Sequence, residues 1–289
     1  MEKVENLKAD GSNLQRYLNS GYRTVDGYLL PGAARLVTET SNVQRGLNIT
    51  GNVAEIGVHE GRLLILLCLL RAPGERAVAM DLFGRQDLNR DRSGRGDQER
   101  LEKNLRRFIR EQEWPVLIAA DSRTLSSASV MKAAGGPFRI FSVDGSHEAP
   151  AVRHDLETAA GALCDGGVIV LDDYFNERWS GVADGTNQFF TADRSREFAP
   201  FAVAQNKVLV SACGYAAQYR QALLEAFKEK VRIFDSTLFG HPVAYFDFHM
   251  TRAEFFVARA LRGAADRYPG LARLLRRVRH SVQIVRPRG

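Results

Sequence analysis

Acidic side chains and one histidine follow two successive apolar runs in the middle of the chain. The first run leads into Asp144-Gly-Ser-His147, and the second leads into Asp172-Asp173. If both runs are neighbouring parallel strands, their carboxyl ends meet at one edge of a sheet, where ligands bind in open α/β folds. Three oxygen donors at one point suit a Mg²⁺-like cation. The sequence therefore predicts a divalent-cation site formed by Asp144, Asp172 and Asp173, with the His147 imidazole beside it.

One geometric objection and one alternative role remain open for these residues. Adjacent strand residues point to opposite faces, so Asp172 and Asp173 can share an ion only if the strand has already turned at Asp172. Taken singly, Asp144 and Asp172 would more commonly cap helices or loops, with His147 bonded to a backbone carbonyl.

A glycine turn lies upstream, in the segment VAEIGVHEG that spans residues 53–61. Gly57 and Gly61 let the backbone approach a ligand closely and adopt dihedrals that a Cβ resists. Glu55 stands where a dinucleotide fingerprint has its first glycine, and an acid there would repel a pyrophosphate but suit a cationic methionine moiety. The turn therefore favours S-adenosylmethionine over NAD, with an ordinary strand-to-helix turn as the alternative.

Further polar residues follow the next two predicted strands. Asp81 ends the second strand, where an acid can accept hydrogen bonds from both ribose hydroxyls of a bound nucleoside. Asp121 and Ser122 follow the third strand and are candidates for the adenine edge. A capping role is equally open for this pair.

The elements that must position these residues alternate between short β-branched runs and helical stretches. This alternation predicts an α/β, Rossmann-like fold with a mostly parallel seven-stranded sheet flanked by helices. The predicted strands are Asn52 to Ile56, Ala77 to Asp81, Pro115 to Ala119, Phe138 to Val143, Gly167 to Leu171, Phe201 to Ala204 and Lys207 to Ser211. We assign residues 1–50 to a helical N-terminal cap, 51–239 to the cofactor-binding domain and 240–289 to a basic helical extension.

Two connections depart from this compact pattern. Residues 85–97 are polar and glycine-bearing, which predicts a lid over the site. Residues 176–193 form a long predicted connection with the aromatic residues Trp179, Phe189 and Phe190. Because aromatic side chains are costly in a solvated loop, we expect them to wall the substrate pocket.

The positive charge of the chain is concentrated at its end. Residues 259–289 hold nine Arg and one Asp, a net +8, which leaves −2 for the first 258 residues of a chain whose formal net charge is +6. The near-neutral body argues against nucleic-acid binding. Leucines and valines at near-helical spacing predict a basic amphipathic helix in this tail. It would pack against the body or a second subunit, with an anionic membrane surface or an acidic partner as the alternative.

No apolar run is long enough for a membrane span, and the first residues are charged and polar. We therefore expect no transmembrane segment and a cytoplasmic location. Self-association through the N-terminal or C-terminal helices stays open.

Four segments together resemble a known family: EIGVHEGRL, DLFGRQDLNRDRSGRGDQ, VDGSHEAPAVRHDLE and GGVIVLDDYF. They resemble the class I methyltransferases related to the macrocin and mycinamicin sugar O-methyltransferases, over roughly residues 51–211. The resemblance implies Mg²⁺ held by Asp144, Asp172 and Asp173, and a general base at His147. Some sugar enzymes carry Glu at the first member of the acidic pair, where this chain has Asp172.

The predicted function is transfer of a methyl group from S-adenosylmethionine to a hydroxyl of a sugar or of another natural-product small molecule. One alternative is an NAD-dependent oxidoreductase or epimerase on a similar sheet, against which Glu55 and the missing GxGxxG motif argue. The other alternative is a non-catalytic cofactor-binding protein. A binding module has no need to concentrate repelling carboxylates, so the acidic group argues against it.

Overall fold

One mixed sheet of nine strands organises the protein, whose computed structural model describes residues 12–191 and 194–248. The strand order is β3-β2-β1-β4-β5-β7-β6-β9-β8. The first five strands in this order are mutually parallel, β7 is antiparallel to β5 and β6, and the β8–β9 hairpin joins through a parallel β6–β9 pair. The strands are β1 Asn52–Ile56, β2 Ala77–Asp81, β3 Val116–Ala119, β4 Phe138–Val143, β5 Leu163–Leu171, β6 Phe198–Ala204, β7 Lys207–Ala212, β8 Arg232–Leu238 and β9 His241–Asp247.

Helices cover both faces of the sheet and give two hydrophobic cores. On one face the core includes residues of α1, α2, α3, α4 and α8, and on the other it includes residues of α5, α6 and α7. The helices are α1 (residues 12–19), α2 Pro31–Gly46, α3 Arg62–Leu69, α4 Gln98–Phe108, α5 Ser127–Ala134, α6 Ala149–Ala162, α7 Ser180–Thr191 and α8 Cys213–Phe227. Among the described residues, no helix is long and apolar enough to cross a membrane.

The central strands β1 and β4 are buried along their whole length. Both strands are mostly apolar, as is typical of strands covered by helices on both faces, and their polar residues are buried with them. Strand order reverses between β1 and β4, because β1 continues to β2 and β3 on one side while β4 continues to β5 on the other. A crevice opens at such a switch point, beyond the carboxyl ends of the strands.

The N-terminal helices belong to the same body as the sheet. The guanidinium of Arg139, on β4, is 1% exposed and donates hydrogen bonds to Ser41 Oγ at 3.0 Å and to Gln44 Oε1 at 2.9 Å, both on α2. The same group forms an ion pair with Glu75 at 2.9 Å. Because a buried charge is costly without a partner, these contacts fix α2 against the sheet.

The sheet corrects three expectations from the sequence. It has nine strands rather than seven, because β8 and β9 extend it beyond β6. Strand β9 runs to Asp247, past the boundary expected after residue 239, and the predicted basic helix of the tail lies outside the described residues. The connection expected over residues 176–193 contains α7, whose Phe189 and Phe190 are buried in the core instead of lining a pocket.

Candidate active site

The turn after β1 meets the turn after β4 at the switch point of the sheet. Gly57 has a φ of 82°, and a Cβ at this position would overlap the carbonyl oxygen of Asp144. No side chain fits there, so glycine is required by the contact as well as by the dihedral. Gly61, with a φ of 91°, directly precedes α3 and faces the buried Leu101.

Glu55 is the last but one residue of β1 and is 2% exposed. Its Oε2 has no hydrogen-bond partner among the described residues. Burial raises the pKa of this carboxyl to about 8, although the nearby ammonium of Lys207 favours the charged form. Glu55 lines a cavity of about 510 Å³ together with Gly57. A cationic ligand group in this cavity would stabilise the charged form of the buried carboxyl.

Asp81, at the end of β2, accepts two backbone hydrogen bonds. His59 N–H donates to Oδ2 at 2.8 Å, and Phe83 N–H donates to Oδ1 at 2.8 Å. Each oxygen keeps a second lone pair. The carboxylate lies at a second, smaller cavity that adjoins the first around Gly57 and Asp144.

Asp121 and Ser122 line the smaller cavity after β3. The Asp121 carboxylate also caps the short 3₁₀ turn that follows, since it accepts a hydrogen bond from Arg123 N–H at 3.0 Å. Hydrogen bonds from the Arg123 guanidinium hold the pKa of Asp121 below its ordinary value. Asp121 therefore has the capping role that the sequence left open. It also faces the smaller cavity.

The segment of residues 85–97, which we call the lid after the role expected for it, lines the smaller cavity. A Cβ on Gly96 would overlap the Asp81 carboxylate, and one on Gly94 would lie 3.4 Å from the His59 ring. Asp91 reaches further and contacts His147. The lid thus spans the turns after β1, β2 and β4.

Asp144, His147 and Asp173 come together at the larger cavity. Each offers one ligand atom, and these atoms lie within 4.8 Å of one another. His147 Nε2 is 3.4 Å from Asp173 Oδ2, and its ring stacks on Trp179 with centroids 4.2 Å apart. Asp173 adopts a φ of 58°, so the chain has left the strand geometry there. The two carboxylates supply oxygen donors that fit a divalent cation, and the imidazole lies beside them.

Asp172 does not join this group. Its Oδ2 accepts a hydrogen bond from the ammonium of Lys207, and its Oδ1 accepts one from the side-chain amide of Asn206. The carboxylate is 2% exposed and the Lys207 side chain is 1% exposed. Neighbouring residues at the end of β5 thus face different partners, as the alternation of side chains along a strand requires. The structure thus groups Asp144 and Asp173 with His147, whereas Asp172 binds Lys207 and Asn206.

Like charges and burial perturb the titration of this group. Burial raises the pKa of Asp144 well above its ordinary value, and the charge of Asp172 raises it further. Burial alone would lower the pKa of His147, but its hydrogen bonds with Asp173 and Asp91 outweigh burial and raise it to about 9. The pKa of Asp173 lies below its ordinary value, because the hydrogen bonds with His147 and Asn176 outweigh the effect of burial. The imidazole is therefore cationic at neutral pH in the protein alone.

Two site residues escaped the sequence analysis, Lys207 and Asp91. Lys207 begins β7, and the antiparallel register that pairs Leu171 with Val208 sets it beside Asp172. A lysine at the start of an otherwise apolar strand is the one signal that the sequence offers for it. Asp91 lies 56 residues before His147, and no spacing or motif in the sequence predicts their contact.

Comparison with known proteins gives a family match and similar folds. A family model described as a methyltransferase domain matches residues 54–174. No curated protein matches the chain. The solved structure of the O-methyltransferase NovP is 16% identical with a TM-score of 0.50, over 64% of this chain and 81% of that one.

Two further solved structures are similar at lower scores. The O-methyltransferase TomG from Streptomyces achromogenes, solved with S-adenosylmethionine, is 14% identical with a TM-score of 0.49, over 69% of this chain and 88% of that one. CalS11, described as a TDP-rhamnose 3'-O-methyltransferase, is 18% identical with a TM-score of 0.45, over 62% of this chain and 79% of that one. The family match and the fold shared with NovP agree with a ligand site in the crevice at the switch point of the sheet. Residues 54–174 are thus similar to a methyltransferase domain, and the fold around them is similar to that of NovP.

Proposed function

We propose that the protein is an O-methyltransferase that methylates a hydroxyl group of a sugar or of a glycosylated natural product. The observation that carries the proposal is the convergence of Asp144, His147 and Asp173 on the cavity beside the Gly57 turn. A methyl donor bound at that turn would present its methyl group to an acceptor held at this cluster. The resemblance of the motifs to sugar O-methyltransferases favours a sugar as the acceptor.

The cofactor contacts follow from the geometry around the two cavities. The free lone pairs of Asp81 would accept the ribose hydroxyls, and Glu55 would face the cationic methionine end. Gly57 leaves room for close backbone approach, and Gly61 directly precedes the helix behind it. The adenine end would lie at the smaller cavity, which Asp121 and Ser122 line.

The donor set also supports a divalent cation such as Mg²⁺, held by Asp144 and Asp173. Lys207 pairs with Asp172, which leaves the carboxylates of Asp144 and Asp173 as the oxygen donors at the larger cavity. A bound divalent cation would lower the pKa of the acceptor hydroxyl and offset the charge of Asp173. If such a cation offset the charge of Asp173, the pKa of His147 would fall and its neutral form would become available.

Neutral His147 is then the base. Its Nε2 faces Asp173 and can take the proton of the acceptor hydroxyl, while the hydroxyl oxygen forms its bond to the methyl carbon as the carbon–sulfur bond breaks. The products are a methyl ether, S-adenosylhomocysteine and an imidazolium that releases its proton to solvent. Alignment supplies much of the remaining acceleration, because the sulfonium methyl group is already activated.

The test is transfer of tritium from S-adenosyl-[methyl-³H]methionine to a panel of hydroxyl compounds, with TDP-rhamnose and other nucleotide sugars beside catechol. Each reaction is run with Mg²⁺ and with excess EDTA. We expect a labelled methyl ether from at least one sugar compound, dependent on Mg²⁺. Label found on a nitrogen or carbon atom, or transfer that continues unchanged in EDTA, would contradict the proposal.

A further inference from the structure

The carboxylate of Asp91 binds both the main chain and the ring of His147. Asp91 Oδ2 accepts a hydrogen bond from His147 N–H at 2.6 Å and lies 2.9 Å from His147 Nδ1. Asp91 Oδ1 accepts a hydrogen bond from Ser93 N–H at 3.0 Å, which closes a turn within the lid. One side chain of the lid therefore joins the lid to the residue proposed as the base.

We propose that Asp91 is a positioning residue that holds His147 with Nδ1 protonated and Nε2 facing the acceptor. The inference rests on the proposed function, since it concerns the orientation of the proposed base. An imidazole has two ring nitrogens, and the hydrogen bond made by one decides which of them is free to accept a proton. A carboxylate only accepts hydrogen bonds, so Asp91 requires a proton on Nδ1.

The surroundings of the ring leave it little freedom. The face of His147 stacks on Trp179 with an angle of 23° between the planes. The side chains of His147 and Asp91 are each 10% exposed, so water competes weakly for their hydrogen bond. A Cβ on Gly181, near the start of α7, would overlap the His147 carbonyl oxygen, so that helix confines the main chain as well. Asp91 completes this arrangement by holding the edge of the ring opposite Nε2.

The charge of Asp91 matches this role. Burial alone would raise its pKa, but hydrogen bonds from His147 and Ser93 outweigh burial and hold the pKa below its ordinary value. The side chain is therefore an anion throughout the neutral range, and it can accept from all three N–H groups. Asparagine would have one acceptor oxygen and an amide that donates, so it cannot satisfy the same three donors.

The placement of Asp91 on the lid gives the contact a consequence for catalysis. The lid also covers Asp81 through Gly96 and the His59 ring through Gly94. When the lid covers the cofactor cavity, it therefore also fixes the tautomer and direction of the base. Positioning of this kind acts on the transition state and leaves ground-state cofactor binding largely unchanged.

The test compares Asp91→Asn with Asp87→Asn, which changes an aspartate of the same lid that makes no contact with His147. We expect Asp91→Asn to lower kcat with the best acceptor of the panel by roughly 10²-fold, while the Kd for S-adenosylhomocysteine stays within about threefold of the parent value. Asp91→Glu keeps the carboxylate and should recover part of the rate. Asp87→Asn should behave as the parent.

A second readout needs no acceptor. A proton on Nδ1 that is hydrogen-bonded to a buried carboxylate should give a proton resonance far downfield of the amides, and His147→Ala assigns it. We expect the resonance in the parent and in Asp87→Asn, and its loss in Asp91→Asn. Its persistence in Asp91→Asn, or a kcat equal to that of Asp87→Asn, would overturn the positioning role while leaving the proposed function intact. A His147→Ala enzyme as fast as the parent would overturn the base itself, and the inference with it.

Discussion

The ammonium nitrogen of Lys207 is bound to Asp172 and lies 3.6 Å from Asp144 Oδ2, so one buried cation serves two buried carboxylates. Hydrogen bonding and the charges of Asp172 and Asp144 outweigh the effect of burial, and the pKa of Lys207 lies above its ordinary value. The lysine is thus charged throughout the physiological range. It holds the Asp172 carboxylate beside that of Asp144, through a contact that Asp173 and His147 do not share.

Replacing Lys207 should destabilise the protein, because it leaves Asp172 buried without its counter-charge. We expect Lys207→Met to lower the free energy of unfolding by about 3–5 kcal/mol in urea denaturation. Adding Asp172→Asn should restore part of the loss, since the uncompensated charge is then gone. The control is Lys230→Met, whose exposed ammonium contacts only a backbone carbonyl. Equal stability of Lys207→Met and Lys230→Met would show that the buried ion pair does not stabilise the protein.

The contact between the turns after β1 and β4 can be tested with two glycines of similar dihedral. Gly57 and Gly74 have φ values of 82° and 90°, but a Cβ at Gly74 would meet no atom within 4 Å. Gly74→Ala should cost about 1–2 kcal/mol of stability from the dihedral alone. Gly57→Ala should cost clearly more and abolish the calorimetric signal of S-adenosylhomocysteine. Similar losses in both variants would mean that the approach of Asp144 imposes no constraint.

Binding of the cofactor ribose should depend on Asp81. An asparagine there sets an amide donor against one of the two backbone N–H groups that now donate to the carboxylate. We expect Asp81→Asn to weaken binding of S-adenosylhomocysteine by roughly 10- to 100-fold, as for the loss of a hydrogen bond to a charged group. Calorimetry measures the effect, with NAD as the ligand that should not bind. An unchanged affinity, or tighter binding of NAD, would count against the assignment.

A buried carboxyl outside the site should make stability fall as pH rises. Asp155, on α6, is fully buried, and burial raises its pKa to about 7, against an opposing contribution from the Ser122 hydroxyl. The folded protein holds this proton while the unfolded chain has lost it, so stability is lost progressively between about pH 4 and pH 7. Asp155→Asn should remove this loss and be more stable than the parent at pH 8 by up to about 4 kcal/mol.

The matched control for this pH dependence is Asp184→Asn, which changes an exposed aspartate on α7. Urea denaturation at pH 5 and at pH 8 gives both free energies of unfolding. The parent and Asp184→Asn should show the same decrease between the two pH values, and Asp155→Asn should show a smaller one. If the free energy of unfolding of Asp155→Asn decreased by the same amount between pH 5 and pH 8, another group would be responsible for the pH dependence.

The central strands could be predicted to the residue, and the edge elements could not. Strands β1, β2 and β4 begin and end where the sequence places them, because each is a short and mostly apolar segment, as is typical of strands buried on both faces. Strand β8 is mostly exposed and shows no such run, so it passed unnoticed.

Helix α7 was missed for another reason, since Gly181 and Gly185 argue against a helix. Both glycines allow close approach of a second element: a Cβ on Gly185 would overlap the carbonyl oxygen of Ala149, on α6. The requirement is tertiary, and a single sequence does not display it. The prediction of the site divides in the same way. Asp81, Asp144 and Asp173 end or follow strands, so their place at one edge of the sheet was predictable, whereas Asp91 and Lys207 reach that edge through the lid and the β6–β7 hairpin.

The rate of methyl transfer by the parent and by His147→Ala, with Mg²⁺ and with EDTA, tests the central claim most directly. The account predicts that the parent needs Mg²⁺ and that His147→Ala binds the cation as the parent does. It also predicts that the variant is roughly 10²–10⁴-fold slower at neutral pH. Its residual rate should climb with pH as hydroxide replaces the imidazole. Full activity in EDTA, or a His147→Ala enzyme as fast as the parent, would contradict the account.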